Sequence, residues 1–352
     1  MKKYSVSIHS LFVILMMLTM LSCKAQNDSR STPTFTGENN ITPFINPDLE
    51  NQIAEYIRNI FQDKEGNLWM GTNGYGVAVY DGKKLKYFNE SDGLSGSQVT
   101  HVMQANDDKI WITTHGGISV YDGESFKNYT TADGLHNEWV WSVYEDSNGQ
   151  IWAGNVEGLS KLVNNKFVPI EIPSNSSDYI DDRFTAQWVR HITEIDGELW
   201  ISTGGLGVCI YDGKKFRYLN EENGLCNNDV SCTMQDSKSN IWVATRFGGV
   251  CMYDGISFQH FELPNGIGNY ESIKVYEDSA GNVWFSAEGY GLYRLNGKTL
   301  QNYSVDQGLK VKAVQAIYED EEGRFWTGGG GGLYRLYGDT FVNVTKDGPW
   351  KK

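Results

Sequence analysis

The side chains most able to bind a ligand stand at two fixed distances from a series of evenly spaced tryptophans. Four residues after those tryptophans, or close to that point, the chain carries Asn73, Tyr75, His115, Glu157, Arg246, Phe247, Glu288 and Tyr290. Twelve or thirteen residues before them, or two residues further along, it carries Tyr56, Arg58, Trp139, Trp188, Arg190, Asp229 and Glu271. Aromatic faces beside polar groups suit sugar rings and other amphipathic ligands. We therefore predict that these two sets form one ligand-binding surface.

The tryptophans themselves define a repeat. They are Trp69, Trp111, Trp152, Trp200, Trp242, Trp284 and Trp326, and the gaps between them are 42, 41, 48, 42, 42 and 42 residues. A polar turn precedes each one, as in DKEGNLW and DSAGNVW, and a Gly-led apolar strand such as GISVYDG comes after many of them. Each repeat thus offers four short strands, here called A to D, with the tryptophan on strand B.

Four-stranded repeats of about 40–45 residues are typical of β-propeller blades. The mature chain shows no sustained 3.6-residue apolar period, which argues against helices. We predict an all-β fold, a single seven-bladed β-propeller over residues 46–346 with four antiparallel strands per blade, followed by a tail at 347–352. The repeated tryptophans should pack between blades. The ring can close end to end without a strand borrowed from the other terminus, or Ile41–Ile45 can add a strand.

The two sets of candidate ligand residues fall on one face of this ring, where the D–A and B–C loops lie together. The A–B and C–D turns are nearly uniform, whereas these loops vary, and variable loops on a rigid scaffold are where binding residues concentrate. The 48-residue gap inserts residues around Pro173–Asp182. We expect this insertion to form an acidic flap over the same face.

A catalytic use of these residues is the alternative to binding. Glu157, Asp229, Glu271 and Glu288 could act in pairs on a glycosidic bond, but only at separations of about 5–5.5 Å or 6.5–9.5 Å. His115 with a nearby glutamate could serve a lyase, as in the streptogramin-lyase propellers. The sequence has no G-x-S-x-G and no H-E-x-x-H. We therefore predict no catalytic residue, no metal site and no cofactor.

The N-terminus has the features of an export signal. Lys2 and Lys3 precede an apolar run from Leu11 to Leu21, which is too short to span a membrane. The following Leu21-Ser22-Cys23 resembles the lipobox of bacterial lipoproteins, in which the cysteine is acylated after cleavage. We predict a signal peptide at 1–22, lipidation at Cys23 and a flexible tether over 23–45.

Charge and cysteine content narrow the function further. The formal net charge is -14, and no basic stripe is visible of the kind that binds nucleic acid. Apart from Cys23, the cysteines are Cys209, Cys226, Cys232 and Cys251. Cys209 and Cys251 occupy equivalent places in neighbouring repeats, too far apart to bond. We expect all four to be buried free thiols.

The repeat resembles that of the two-component regulator propeller family. EYIRNIFQDKEGNLWMGT, VWSVYEDSNGQIWAG and VQAIYEDEEGRFWTGG carry the resemblance, which covers about Glu55 to Val344. In that family such propellers form the periplasmic sensor part of hybrid histidine kinases. The resemblance implies a sensor that takes up oligosaccharides or similar ligands, but this sequence shows one ring and no kinase.

These observations predict a stand-alone binding or sensor propeller rather than an enzyme. Its expected partners are a glycan or another small molecule and a membrane or sensor-kinase protein. We expect a monomer that is exported and lipid-anchored to a bacterial membrane, on the periplasmic or surface side. The alternatives are a protein–protein scaffold, or a lyase or glycosidase that uses the same face.

Overall fold

The computed structural model describes residues 51–174, 179–181, 184–264, 266–311 and 313–350. The contact pattern divides the chain into two units, Met1–Ile45 and Asn46–Lys352. The predicted signal peptide, Cys23 and the tether lie outside the described residues, as do residues 175–178 and 182 of the predicted flap.

Seven four-stranded antiparallel sheets follow one another along the chain. The strands of the first four blades are β1 Ile57–Gln62, β2 Leu68–Thr72, β3 Val77–Tyr80, β4 Leu85–Phe88; β5 Val99–Gln104, β6 Ile110–Thr114, β7 Gly117–Tyr121, β8 Phe126–Tyr129; β9 Val140–Glu145, β10 Ile151–Asn155, β11 Gly158–Val163, β12 Lys166–Ile170; and β15 Val189–Ile195, β16 Glu198–Thr203, β17 Val208–Tyr211, β18 Phe216–Leu219. A two-stranded hairpin, β13 Tyr179–Asp181 and β14 Phe184–Thr185, precedes the fourth blade.

The last three blades have the same plan. Their strands are β19 Val230–Gln235, β20 Ile241–Thr245, β21 Val250–Tyr253, β22 Phe258–Phe261; β23 Val275–Glu277, β24 Val283–Ala287, β25 Gly291–Asn296, β26 Thr299–Tyr303; and β27 Val314–Glu319, β28 Phe325–Gly329, β29 Gly332–Tyr337, β30 Thr340–Val344. Helical structure in the described ranges is limited to 3-10 turns at Glu90–Asp92, Thr131–Asp133, Glu221–Asn223 and Val305–Gln307. No helix among these residues is long and apolar enough to cross a membrane. The predicted seven-bladed all-β fold is confirmed.

The A strands form the inner wall of the ring. Each contacts the next in the order β1, β5, β9, β15, β19, β23, β27, and β27 contacts β1. Every blade is built from consecutive strands. Among the described residues the ring therefore closes end to end, and Ile41–Ile45 lies outside them.

The seven repeated tryptophans are buried between the blades, with relative exposures of 1% to 6%. In five blades the indole N–H donates to an aspartate six residues earlier, for example Trp69 to Asp63 at 2.7 Å and Trp242 to Asp236 at 2.8 Å. The same carboxylate accepts backbone N–H groups of its A–B turn, as Asp63 does from Asn67. One aspartate thus fixes both the turn and the indole.

A second contact joins neighbouring blades at the A–B turns. The residue that ends strand A in one blade accepts an N–H from the turn of the preceding blade, as Glu145 does from Asn106 at 2.7 Å. Gln62 accepts from Glu321 at 2.8 Å and so repeats this contact between the last blade and the first. The seam that closes the ring is therefore held in the same way as the others.

Residues that flank the repeats also pack on the closing seam. Gln52 donates its amide N–H to Asn343 at 2.7 Å. Trp350 stacks on Tyr80 with ring centroids 4.1 Å apart, and it is 8% exposed. Part of the segment predicted as a tail therefore covers the edge of the first blade.

One prediction about the cysteines is wrong. Cys226 and Cys251 form a disulfide, with Cα atoms 6.1 Å apart. The connection that carries Cys226 crosses the B–C turn of the fifth blade so closely that a side chain on Gly248 would collide with the Cys226 carbonyl. A bond between Cys209 and Cys251 would join two blades. The Cys226–Cys251 bond instead joins the connection into the fifth blade to strand C of that blade. Cys209 and Cys232 are free and buried, as predicted.

Candidate functional site

The two sets of predicted ligand residues meet in every blade through one backbone hydrogen bond. The residue four positions after the tryptophan donates its N–H to the carbonyl of the residue that precedes strand A, or, in the sixth blade, to Glu271, four residues before that strand. The donors and acceptors are Asn73 and Tyr56, His115 and Gln98, Val156 and Trp139, Gly204 and Trp188, Arg246 and Asp229, Glu288 and Glu271, and Gly330 and Ala313. The B–C loop and the start of strand A therefore form one rim, with a fixed backbone and different side chains.

A β-bulge then turns two successive side chains of strand A towards the channel. Ile57 pairs with Thr72 and Asn59 with Gly71, so that Arg58 has no partner on strand B. The same register shift skips the residue equivalent to Arg58 in five further blades. These residues are Thr100, Trp141, Arg190, Ser231 and Gln315. A bulge re-aims the side chains beside it, and all six bulged residues line the same cavity.

This cavity lies on the channel axis and has a volume of ≈ 260 Å³. Its wall comes from the start, the bulge and the following residue of strand A in successive blades. Six of the predicted ligand residues line it: Tyr56, Arg58, Trp188, Arg190, Arg246 and Glu271. The size suits one ring-sized group, with the remainder of a longer ligand at the open rim.

An aromatic wall closes one side of the cavity. Trp141 and Trp188 meet edge to face with ring centroids 4.8 Å apart. Phe184, from the inserted hairpin, stacks on Trp188 at 4.1 Å and on Trp139 at 5.4 Å. His115 lies edge-on to Trp139 at 4.4 Å. His115 and Trp139 therefore support this wall from outside the cavity lining.

Two ion pairs continue the lining beyond Trp188. Arg190 meets Asp229 at 2.8 Å, with both side chains less than 10% exposed. Arg246 meets Glu271 at 2.7 Å nearer the solvent. Burial raises the pKa of Asp229 to about 6 although Arg190 acts to lower it, and burial lowers the pKa of Arg190 to about 10. Desolvation of this pair therefore outweighs the attraction between its members.

Glu288 contacts the second pair from the rim. Partial burial and a hydrogen bond with Glu271 raise the pKa of Glu288 to about 7. A protonated Glu288 can then donate this hydrogen bond to Glu271. Groups in hydrogen-bond contact are closer than the separations of about 5–5.5 Å or 6.5–9.5 Å that glycoside hydrolysis uses. This pair does not have the geometry of a glycosidase.

Several buried donors of the cavity have no hydrogen-bond partner among the described residues. They are the indole N–H groups of Trp141 and Trp188 and the Nε–H groups of Arg58 and Arg190. Buried polar groups are nearly always paired, and an unmade hydrogen bond costs about 1–3 kcal/mol. The arrangement therefore offers donors beside aromatic faces to a ligand that carries acceptors.

Nine predicted residues do not line the cavity. His115, Trp139, Asp229 and Glu288 lie beside its wall, and the other five are further away. Asn73 accepts from Gln98 at 2.9 Å, and Glu157 accepts from Asn137 at 3.0 Å. Tyr75 and Phe247 are 55% and 59% exposed, and Tyr290 packs against the core of the sixth blade. These five residues lie on the rim, away from the channel axis.

Much of the cavity lining was not predicted from the sequence. The prediction assumed that successive side chains of a strand face opposite sides, and the bulge breaks this alternation. Trp141, His101, His191 and Lys274 all line the cavity. Relative to the repeated tryptophan of its blade, each stands at a position equivalent to Arg58 or Asn59. Repeat alignment at those two positions could have found them. No group of three or more His, Cys, Asp or Glu able to hold a metal ion occurs in the part of the chain that the structure describes.

Comparison with known proteins gives a consistent result for the repeat. The family model described as "Two component regulator propeller" matches residues 51–74, 134–157 and 224–247. No curated protein matches the chain. The matched segments span strands A and B with the tryptophan, so the family match concerns blade structure.

Solved structures share the fold at low sequence identity. The extracellular domain of a B. thetaiotaomicron protein described as a hybrid two-component system is 22% identical, with a TM-score of 0.63, and the match covers 79% of this chain but 39% of that one. Virginiamycin B lyase from Staphylococcus aureus, solved with quinupristin, is 15% identical with a TM-score of 0.65, covering 80% and 95%. PorZ, a surface component of the type-IX secretion system of Porphyromonas gingivalis, is 15% identical with a TM-score of 0.62, covering 81% and 47%. At these identities the likeness concerns the fold alone.

Proposed function

Since the chain carries two-component regulator propeller repeats in a single seven-bladed ring, we propose that it is an exported, non-enzymatic binding protein whose axial cavity holds an oligosaccharide or a similar small molecule. The lipid anchor at Cys23 and a membrane or sensor-kinase partner belong to the same proposal. An anchored propeller that binds a glycan would concentrate it beside the membrane protein that uses or senses it.

One observation carries the proposal: unpartnered buried donors stand beside indole faces in a single cavity. Trp188 is 4% exposed, and its indole N–H and the Nε–H of Arg190 lack partners. The guanidinium of Arg190 lies over the Trp188 ring at 3.8 Å. Sugar hydroxyl oxygens would accept from these donors while the apolar face of the ring lies on an indole. Folding alone needs neither the donors nor two tryptophans at the axis.

A catalytic role has weaker support. The Glu271 and Glu288 carboxyl groups are in hydrogen-bond contact, closer than a glycosidase requires. Burial and the charge of Arg58 lower the pKa of His115 to about 4, and its ring packs against Trp139 and Trp141. The likeness to virginiamycin B lyase keeps a lyase as the second candidate, to be tested with the same variants.

The test is a thermal-shift and glycan-array screen of the full chain in detergent. Trp141→Ala should weaken each hit at least tenfold, because it removes both a wall of the cavity and a donor. Tyr75→Ala is the matched control, since Tyr75 is an exposed aromatic residue outside the cavity. Hits that survive Trp141→Ala but are lost in Tyr75→Ala would place binding on the rim and favour a protein scaffold. Product formation from a hit would favour the lyase.

A further inference from the structure

We infer that the channel binds an anionic group, a carboxylate, sulfate or phosphate carried by the ligand, between Arg58 and Lys274. This inference rests on the proposed function, because the anionic group would belong to the ligand of the axial cavity. It adds the chemical class of that ligand, an acidic rather than a neutral sugar.

Arg58 and Lys274 lie at the junction of two cavities on the channel. The first, of ≈ 260 Å³, opens towards the aromatic wall, and the second, of ≈ 470 Å³, extends along the A strands towards the A–B turns. The residues that line both are Arg58, Asn59, His101, His191, Lys274 and Gln315. This set holds two cationic side chains, two imidazoles, two amides and no carboxylate.

The charged side chains that line the first cavity do not balance. Its lining includes four cations, Arg58, Arg190, Arg246 and Lys274, and one anion, Glu271. Asp229 neutralises Arg190 and Glu271 neutralises Arg246 through the two ion pairs. Arg58 and Lys274 have no ion-pair partner in the described ranges of the chain. Two positive charges therefore remain unpaired in a protein whose formal net charge is -14.

Arg58 is held in place by aromatic rings. Its guanidinium lies 5.5 Å from the ring centre of Tyr56 and 5.7 Å from that of Trp141. The Nε–H is buried and unpartnered, and burial lowers the pKa of the side chain. A partly desolvated cation without a counter-charge is unfavourable, and a bound oxyanion would supply both the charge and the acceptor.

The neighbouring groups can donate to the same anion. Burial and then the charge of Lys274 lower the pKa of His101 to about 4 and that of His191 well below its usual value. Both imidazoles are therefore neutral at neutral pH. His191 has an unpartnered Nδ1 that can carry its N–H, whereas His101 gives its N–H to the backbone carbonyl of Val143. A neutral imidazole and an amide can each donate an N–H. The lining that the two cavities share thus provides two cations and neutral N–H donors.

The experiment compares matched acidic and neutral sugars. Binding of the full chain is measured by calorimetry with uronic-acid disaccharides, O-sulfated disaccharides and the neutral disaccharides of the same sugars and linkage, together with inorganic sulfate and phosphate. The expected result is at least tenfold tighter binding of one acidic class, with an affinity that falls as salt rises. Lys274→Met should remove that preference, so that acidic and neutral sugars bind with equal affinity.

The control is Lys83→Met, which removes an exposed lysine from the C–D turn of the first blade and should retain the acidic preference. Arg58→Met is the second variant, with circular dichroism as a check of its fold. Equal binding of acidic and neutral sugars, unchanged in Lys274→Met, would overturn the inference and leave the proposed function standing. Absence of binding by every sugar would overturn both. Binding of inorganic anions alone would also count against an acidic sugar.

Discussion

The two ends of the ring use the same backbone plan but treat their side chains differently. At the A–B turns an aspartate–tryptophan hydrogen bond recurs in five blades. At the rim one backbone hydrogen bond recurs in all seven blades, yet its donor residues are Asn, His, Val, Gly, Arg, Glu and Gly. Repeated side chains mark the end that holds the fold, and repeated backbone with varied side chains marks the end free to recognise a ligand.

Two blades lack the aspartate–tryptophan hydrogen bond, and they show that a blade can form its A–B turn without it. In the second blade Ala105 stands where the others have aspartate, and the indole N–H of Trp111 is buried without a partner. In the fourth blade a two-residue turn, Asp196-Gly197, replaces the longer one, and the indole N–H of Trp200 is likewise unpartnered. Both tryptophans are still 5% exposed. Packing therefore places the indole, and the hydrogen bond adds to it.

The largest expected effect separates the two ends by stability. Trp284→Ala removes an indole that is 1% exposed between blades, which should lower the free energy of unfolding by about 3–5 kcal/mol. Trp139→Ala, at the half-buried rim, should cost clearly less. Urea unfolding followed by circular dichroism measures both. Equal losses would mean that the rim tryptophans also hold the blades together.

A smaller effect concerns the rim carboxylate Asp229. Its folded-state pKa of about 6 exceeds the usual value of 3.8, so the folded state binds the proton more tightly than the unfolded state. Stability should therefore fall as pH rises from about 4 to 6, by up to about 3 kcal/mol from this group. Asp229→Asn should flatten the profile over that window, even if it lowers stability overall by leaving Arg190 unpaired. Unfolding midpoints at half-unit pH steps test this, and identical slopes would count against it.

The smallest effects test whether the aspartate–tryptophan bond adds to packing. Asp278→Ala should cost about 1–3 kcal/mol, because it leaves the indole N–H of Trp284 and two turn amides without an acceptor. Ala105→Asp in the second blade should gain about 1 kcal/mol by supplying an acceptor for Trp111. The two turns share the same backbone hydrogen bonds, which makes the exchange a matched pair. A loss in both variants would show that the second blade cannot use the bond.

The fold was predictable because its signal is carried by short turns and one large side chain. The spacing of the tryptophans, such as Trp242 to Trp284, predicted the blades and their number. The Cys226–Cys251 bond was not predictable, because it depends on where the connection into the fifth blade crosses strand C. Nothing local to Cys226 encodes that crossing.

The candidate site was predictable only in part. Loop position identified Arg58, Trp188 and Arg190, all of which line the cavity. Trp141 and Lys274 were missed because a bulge breaks the two-residue alternation on which strand interpretation depends. Tyr75 was included because rim loops were treated alike, whereas distance from the axis decides which of them face the cavity.

The bulge also determines how freely this protein can vary. Arg58, Trp141 and Ser231 stand opposite no residue on strand B, so exchanging their side chains leaves the ladder and the indole packing untouched. A gene that carries such repeats can therefore acquire a new ligand by point mutation in one blade, while the remaining blades keep the ring folded during the change.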